Sequence, residues 1–300
     1  MQSPKRNTDS TTEETGGRPQ GSLIGLLLLQ QGKIKDRDIE RILTYARKKN
    51  LRFGEAAVKL RLISSVDLDR AIATQFDYPY LEKGAGGYSA VGEKELVAAF
   101  SPFSEKGQTL RVLRAQLLLH GISSERHALA IVGSQAREGC SYIAANLAVT
   151  FSQLGQRTLL IDADLQNGRQ HKLFGVKNDV GLSAALVGHA SFESVTRKLL
   201  LFRDLSFIPA GAPVPNPNEL LGRSELNAAF SVLRDQYDLV VFDTAPLLKA
   251  HGAELVASLC GSALVVVRKN HTRLRDAEVL MDQLRNRRDL DIVGSVMNVF

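Results

Sequence analysis

Residues 129–148, LAIVGSQAREGCSYIAANLA, place an apolar run before a loop that contains Gly139 and a hydroxyl at Ser141. Loops of this form bind phosphate, because backbone N–H groups and the N-terminus of the next helix point at the anion. A lysine just before the hydroxyl normally grips the outer phosphates, and the hydroxyl binds Mg²⁺. Here Cys140 occupies the lysine position. The loop predicts nucleotide binding, with an ordinary glycine turn between strand and helix as the alternative.

Acidic residues follow two further apolar runs. LLIDADL (159–165) ends with Asp162 and Asp164, and YDLVVFDTAP (237–246) contains Asp243. Carboxylates at the C-terminal ends of parallel strands lie where ligands bind in open α/β sheets. Three such acids beside a phosphate loop favour a ligand site over unrelated loop residues or helix caps.

The elements that must position these residues are buried strands. Two more apolar runs, ALVVVRKNHTR (263–273) and IVGSVMNVF (292–300), follow the acidic ones. Continuous β-branched runs that alternate with helical stretches predict a mostly parallel sheet with helices on both faces. The predicted fold class is therefore α/β, preceded by a small all-α domain of helical repeats.

Length and composition suggest about two domains in the 300 residues. We predict a disordered tail at 1–20, which is polar and lacks apolar periodicity. A small helical domain is predicted at 21–81, a glycine-rich linker at 82–100, and the nucleotide-binding domain at 101–300. The two cysteines exclude a disulfide framework and a cysteine-based zinc site, and the six histidines form no metal-ligand pattern.

The longest apolar run near the N-terminus is LIGLLLL (23–29), far shorter than the ~20 residues that span a bilayer. We therefore expect a cytoplasmic protein without a transmembrane segment. A net charge of +6 and a pI of 9.3 favour anionic partners. Nucleic acid is not expected among them, because no dense basic tract with interleaved aromatics occurs.

The small domain contains an internal repeat. Residues 23–46 align with residues 52–75 at a constant offset of 29, so that Gly25 pairs with Gly54. The apolar spacing predicts two helix-turn-helix units that pack as a pseudo-symmetric pair. Asp36 and Ser64 or Ser65 stand where the second helix of each unit would be capped.

This repeat resembles the N-terminal (MshEN) domain of type II secretion and pilus ATPases, whose tandem motifs begin with Arg-Leu-Gly and end with Gln. The second copy keeps Arg52 and Gln75, whereas the first has Leu23 and Ala46 at those places. The resemblance implies cyclic di-GMP binding through Arg52 and Gln75. The alternative is a helical docking or dimerisation module that has lost the ligand.

Residues 105–300 resemble the cytoplasmic domain of bacterial tyrosine kinases (BY-kinases) that control exopolysaccharide chain length, of the EpsG type. The resemblance rests on the loop REGCSYIAANLA, on LLIDADLQNGRQHKLFG (159–175), on YDLVVFDTAP and on the closing VMNVF. QTLRVLRAQL (108–117) is similar to the family's oligomerisation helix, with residues Gln108, Arg111 and Arg114. This family has the P-loop NTPase fold of the MinD/ParA type.

The resemblance implies ATP and Mg²⁺ as cofactors. It implies a homo-oligomer that works at the inner face of the membrane with a membrane-bound polysaccharide copolymerase, the chain-length determinant protein. By motif position it implies catalytic roles for Asp162, Asp164 and Asp243, metal binding by Ser141, Asp162 and Asp243, and nucleotide contacts from Arg137, Glu138, Gly139, Cys140, Ser141, Tyr142 and Asn298.

Two departures from the family pattern concern catalysis. Cys140 cannot supply the lysine's charge, and Arg137 either reaches the phosphates from another angle or is solvated. The six tyrosines are scattered, so no acceptor cluster for autophosphorylation is evident. Three hypotheses remain: a weak tyrosine kinase, a non-catalytic nucleotide-dependent scaffold, and a ParA/MinD-like positioning ATPase. Gln135 and Cys140, at the places of that ATPase's two loop lysines, argue against the third.

Overall fold

The structure is a computed structural model that describes residues 22–76, 78–82, 84, 90–120, 122, 127–249 and 251–299. The chain divides into two compact units, of which the first ends at Tyr78 and the second begins at Pro79. The predicted disordered tail, residues 1–20, lies outside the described residues. Within the described part of the chain, no helix is long and apolar enough to cross a membrane.

The first unit consists of four helices around an apolar core. They are α1 (Ser22–Gln30), α2 (Asp36–Lys49), α3 (Phe53–Lys59) and α4 (Ser65–Gln75). Their arrangement as two consecutive helix pairs follows the two repeats in the sequence. Core side chains come from every helix and include Leu28, Ile42, Phe53, Ala56, Ala57 and Ala71.

The paired glycines of the repeat allow helices to approach closely. A Cβ atom on Gly54 would lie 2.3 Å from Cδ1 of Leu68, and one on Gly25 would lie 3.3 Å from the ring of Phe53. Ser64 caps α4, since its Oγ accepts the N–H of Asp67 at 3.1 Å, as predicted. Asp36 is not a cap: α2 begins at Asp36, and the N–H of the preceding Lys35 donates to the Asp38 carboxylate at 2.9 Å.

The second unit is built on a seven-stranded sheet in the order β3-β4-β2-β5-β1-β6-β7. Every neighbouring pair is parallel except β3 and β4. The strands are β1 (Ala128–Gly133), β2 (Thr158–Asp162), β3 (Arg197–Lys198), β4 (Leu205–Ile208), β5 (Leu239–Asp243), β6 (Ser262–Arg268) and β7 (Asp291–Asn298). The predicted mostly parallel α/β fold is therefore confirmed.

Helices cover both faces of this sheet, and a separate apolar core fills each side. The helices are α5 (Ala90–Glu95), α6 (Val97–Phe100), α7 (Glu105–His120), α8 (Cys140–Ser152), α9 (Gln170–Phe174), α10 (Leu182–Leu186), α11 (Phe192–Val195), α12 (Pro217–Leu221), α13 (Ser224–Gln236), α14 (Gly252–Cys260) and α15 (Leu274–Arg285). Strands β1, β2 and β5 are buried along their whole length, which explains their uninterrupted apolar sequences.

The prediction of a linker at 82–100 is wrong for its second half, where the chain forms α5 (Ala90–Glu95) and α6 (Val97–Phe100). Leu96 and Phe100 are buried in the same apolar core as residues of α8 and of the sheet. The side chain of Asn146, on α8, accepts the N–H of Ala98 at 2.9 Å and donates to the carbonyl of Glu95 at 2.8 Å. These tertiary bonds order a segment that has no clear periodicity of its own. Residues 83 and 85–89 lie outside the described residues.

Candidate functional site

The phosphate loop joins β1 to α8. Gly139 is the N-cap of α8 with φ 102°, and α8 begins at Cys140. Arg137 also has a positive φ, 69°, which costs a residue with a side chain about 1 kcal/mol or more. Contacts with surrounding residues must offset this cost. The loop conformation is therefore stabilised by those contacts rather than by the backbone preferences of its own residues.

Inside the loop, Glu138 provides the central contact. Its buried carboxylate accepts hydrogen bonds from Ser134 Oγ at 2.6 Å, from the N–H of Gln135 at 3.0 Å and from Thr272 Oγ1 at 2.6 Å. Gly133 is required beside it, since a Cβ there would lie 2.6 Å from Glu138 Oε2. The loop is thus folded around its own acid.

Three successive loop carbonyls bind side chains from the far end of the chain. His271 Nε2 lies 3.0 Å from the carbonyl oxygen of Ala136, and Arg268 donates to that of Arg137 at 3.0 Å. Asn298 Nδ2 donates to the carbonyl of Glu138 at 3.2 Å. We call Arg268, His271, Thr272 and Asn298 the loop clamp. Because C=O and N–H point opposite ways in a trans peptide, the clamp turns the loop's N–H groups away from itself.

A buried pair of carboxylates lies at the ends of β2 and β5. Asp162 and Asp243 face each other in the strand register, and Gln170 joins them. Its backbone N–H donates to Asp162 Oδ2 at 3.0 Å, while its Nε2 donates to Asp243 Oδ2 at 2.9 Å. The same Nε2 donates to the carbonyl of Ser141 at 2.9 Å. We call Asp162, Gln170 and Asp243 the carboxylate edge.

Burial disfavours charge on both acids. It raises the pKa of Asp162 well above its usual value, with a further rise from Asp243. Burial also raises the pKa of Asp243 to about 6, although hydrogen bonds from Gln170 and Ser141 pull the other way. Asp243 Oδ1 is buried without a hydrogen-bond partner among the described residues. An unpaired buried oxygen is costly, and a cation would relieve that cost.

These residues fit a Mg²⁺ ion that is shared with phosphate. The described residues contain no cluster of three or more His, Cys, Asp or Glu that would hold a metal alone. Mg²⁺ is commonly bound through one or two carboxylates plus substrate phosphates and water. Asp243 Oδ1 and the adjacent Ser141 hydroxyl are suited to that arrangement, while both oxygens of Asp162 accept backbone N–H groups.

Asp164 differs from the buried pair. It is half-buried and closes a turn, since its Oδ1 accepts the N–H groups of Gln166 at 3.3 Å and Asn167 at 2.9 Å. Asp164 also lines the cleft described below.

Cys140 is turned inward. A Cβ on Gly133 would lie 2.6 Å from its Sγ, and the side chain packs on the core beside α8. Burial, together with Asp243 and Glu138, raises the pKa of the thiol well above its usual value. The side chain at the lysine position is therefore uncharged at neutral pH.

The loop and Asp164 line a cleft of about 710 Å³. Of the predicted nucleotide contacts, Asn298 does not line it and binds the loop from behind. Six basic residues do line it, namely Lys94, Lys106, Arg137, Arg169, Lys249 and Arg268. Arg169 makes two hydrogen bonds of 2.8 Å to Glu95. Burial and Glu95 raise the pKa of Tyr142, which also lines the cleft.

The predicted oligomerisation residues on α7 contact their own unit. Gln108 Nε2 donates to the carbonyl of Phe103 at 3.1 Å, and Arg111 to that of Pro102 at 2.7 Å. Arg114 donates to the carbonyl of Thr150 at 2.7 Å. Oligomerisation through these side chains stays a prediction.

The predicted dinucleotide residues of the first unit are not joined by any hydrogen bond in the structure. Arg52 is exposed, and its backbone N–H donates to Glu55 at 3.1 Å. Gln75 is half-buried, and its Oε1 is buried without a hydrogen-bond partner among the described residues.

Gln170 and three of the clamp residues, Arg268, His271 and Thr272, were not anticipated from the sequence. Gln170 carries only a weak signal, its position eight residues beyond Asp162 at the start of α9. The three clamp residues lie over 130 residues from the loop, and nothing in their spacing points to it.

Known proteins are similar to this chain in sequence and in fold. A family model described as an AAA domain matches residues 133–288. Tyrosine-protein kinase Etk of Escherichia coli K12 is 31% identical over 204 residues, which are 67% of this chain and 28% of Etk. Tyrosine-protein kinase Wzc of Salmonella typhi is 29% identical over 212 residues, which are 71% of this chain and 29% of Wzc. The chain thus matches less than a third of the length of either relative.

Solved structures agree. The kinase domain of Escherichia coli tyrosine kinase ETK has a TM-score of 0.65 at 30% identity, covering 68% of this chain and 79% of that one. The BceF tyrosine kinase domain has a TM-score of 0.63 at 27% identity, covering 77% and 97%. The fold and loop define a P-loop nucleotide-binding domain of the α/β class. Within that class, the chain belongs to the bacterial tyrosine kinase family, as the resemblance implied.

Proposed function

We propose that the second unit binds ATP with Mg²⁺ and acts as a weak tyrosine-kinase-like regulator of exopolysaccharide chain length or export. The observation that carries the proposal is the joint placement of the phosphate loop and the carboxylate edge. Ser141 contacts Asp243 through its side chain and Gln170 through its carbonyl, so the two halves are linked. The cleft volume of about 710 Å³ lies within the usual range for small-molecule sites.

Each group of residues in the site has its own proposed role in binding or phosphoryl transfer. The loop N–H groups that point away from the clamp, and the N-terminus of α8, would hold phosphate. Ser141 and Asp243 would hold Mg²⁺, with Asp162 fixed behind them. The ion, when bound, neutralises charge that develops on the phosphates. Asp164, open to the cleft, is placed to accept a proton from an acceptor hydroxyl.

Catalysis should be slow because residue 140 is a neutral thiol. Loss of one preorganised donor to developing charge costs roughly 3 kcal/mol, about a hundredfold in rate.

The second candidate function is a non-catalytic scaffold whose nucleotide-bound and empty states assemble differently. The inward, uncharged thiol of Cys140 is the observation that favours it.

Phosphoryl transfer from labelled ATP, with added tyrosine copolymer, tests the choice. We expect the native chain to transfer phosphate slowly and Cys140→Lys to transfer it clearly faster. Asp164→Asn should show no transfer. Transfer by Cys140→Lys that is no faster than native, with ATP still bound, would favour the scaffold.

The partner proposal follows from family membership. We propose that the chain forms a homo-oligomer and works on the cytoplasmic face with a membrane-bound polysaccharide copolymerase. Helix α7 supports the oligomer, since it exposes Val112 and Leu119 by 60% and 74% on one face. Sedimentation of the native chain against Val112→Glu would test this, and an unchanged monomer in both would contradict it.

For the first unit we propose docking through α1, with cyclic di-GMP binding as the alternative. Leu23 and Leu26 of α1 are about half exposed, at 51% and 49%, which supports an apolar contact surface. Only one repeat keeps the polar pair Arg52 and Gln75. Calorimetry of the full chain with cyclic di-GMP separates the two. Nanomolar binding that Arg52→Ala abolishes would overturn the docking proposal.

A further inference from the structure

The cleft needs a cation for the outer phosphates, and Cys140 does not provide one. Two of the six basic residues in the cleft are already engaged, since Arg169 binds Glu95 and Arg268 binds the carbonyl of Arg137. The other four make no ion pair with any described carboxylate, namely Lys94, Lys106, Arg137 and Lys249.

Of these four, Lys249 belongs to a segment whose backbone is bonded to the start of the phosphate loop. The N–H of Leu247 donates to the carbonyl of Gly133 at 2.9 Å, and that of Leu248 to Ser134 at 3.3 Å. The N–H of Lys249 closes a turn onto the carbonyl of Pro246 at 3.0 Å. The side chain of Lys249 thus starts one residue beyond the loop contact, and it is exposed to the cleft.

The same segment is anchored to the carboxylate edge. It begins directly after Asp243, where Thr244 Oγ1 donates to the carbonyl of Ile131 on β1 at 2.9 Å. Leu247 is buried with 2% exposure, which fixes the turn that carries Lys249. Lys94 and Lys106 stand instead on α5 and α7. Arg137 stands on the loop crest, where its backbone is strained.

We propose that Lys249 supplies the phosphate-binding charge that the loop lacks at residue 140. The inference rests on the proposed nucleotide site and extends it. A lysine ammonium is a compact charge on a flexible side chain of four methylene groups. It can therefore extend to a bound phosphate even though no partner among the described residues fixes its position in the empty site. Lys249 thereby contributes charge for ATP binding, whereas the preorganised donor at residue 140 that would speed phosphoryl transfer is still missing.

The test is a calorimetric titration of ATP–Mg²⁺ into the full chain and its variants. Lys249→Gln should weaken ATP binding about ten- to a hundredfold, because a charged hydrogen bond to phosphate is lost. AMP should lose much less, since it lacks the outer phosphates. Lys249→Arg should retain most of the affinity. The matched control is Lys269→Gln, an exposed lysine that follows β6 and does not line the cleft.

Rescue makes the test specific. Cys140→Lys added to Lys249→Gln should restore ATP affinity, so that the two positions are non-additive in a double-mutant cycle. Unchanged ATP binding by Lys249→Gln would overturn the inference alone, as would an equal loss for AMP and ATP or the absence of rescue in a folded double variant. Absence of ATP binding by the native chain would instead overturn the proposed function, and this inference with it.

Discussion

The phosphate loop and the carboxylate edge are linked through Ser141, yet they satisfy their buried polar groups in opposite ways. In the loop, the Glu138 carboxylate has three donors, and three successive carbonyls have partners in the clamp. At the edge, Asp243 Oδ1 and Gln170 Oε1 are buried without partners among the described residues. Two neighbouring acids there have raised pKa values.

The loop is therefore complete without a ligand, whereas the carboxylate edge is not. The loop is assembled by internal hydrogen bonds and contributes to stability. The edge keeps two acids buried at a cost in free energy. It therefore lowers the stability of the folded protein when no cation is bound. Sites commonly keep such strain where function requires it. Substitutions in the two halves should therefore change stability in opposite directions.

The largest effect is expected at Glu138. Glu138→Ala removes the acceptor for Ser134, Gln135 and Thr272, so that one buried and two half-buried donors lose this partner. We expect a loss of roughly 3 kcal/mol in the free energy of unfolding and loss of ATP binding. Urea denaturation measures the first quantity. Glu138→Gln keeps the shape of the side chain and one acceptor oxygen, so its free energy of unfolding should lie between those of the native protein and Glu138→Ala. A stable Glu138→Ala variant would show that the contacts of the Glu138 carboxylate do not hold the loop.

The opposite sign is expected at Asp243. Asp243→Asn removes a buried charge while an amide oxygen can still accept from Gln170. We expect the unliganded protein to gain roughly 1–3 kcal/mol, a rise of several degrees in Tm, while Mg²⁺-dependent ATP binding is lost. Thermal melts with and without ATP–Mg²⁺ measure both. A lower Tm for the unliganded variant would refute the contrast between the two halves.

Acid should reproduce part of this effect. The folded-state pKa of Asp243 is about 6, above its ordinary 3.8, so folding favours the protonated carboxyl. The contribution to stability is therefore full below about 3.8 and is lost as pH rises through about 6. Mg²⁺ needs the ionised form, so ATP–Mg²⁺ affinity should fall as pH drops through about 6. Titrations between pH 5 and 8 would show this, and Asp243→Asn should remove the dependence.

The smallest effect is expected at the exposed end of the clamp. His271 is exposed, and its partner, the carbonyl of Ala136, belongs to an exposed residue that water can reach. His271→Ala should therefore change the free energy of unfolding by under about 0.5 kcal/mol and ATP affinity by roughly twofold. Thr272→Val, which removes a half-buried donor to the buried Glu138 carboxylate, should cost clearly more in parallel denaturation curves. Equal costs would mean that burial does not set the strength of the clamp.

The sequence predicted the carboxylate edge better than the loop. Buried parallel strands have continuous apolar sequences, and Asp162 and Asp243 close two of them, so their meeting at one edge follows from the fold class. The loop is held by Arg268, His271 and Thr272, which approach only through the β1–β6 pairing. Asn298 was predicted to contact nucleotide, and the structure shows its amide on the loop carbonyl. Residues 90–100 were missed as helices because contacts with Asn146 order them.

The most direct test is a titration of ATP into the native chain, with Mg²⁺ and with EDTA. We expect measurable binding that depends strongly on Mg²⁺, because Asp243 Oδ1, which is buried without a hydrogen-bond partner among the described residues, needs the ion. We also expect Asp243→Asn to abolish the Mg²⁺ dependence without unfolding the protein. Equal affinity with and without Mg²⁺, or no binding at millimolar ATP, would show that this site does not bind ATP with Mg²⁺.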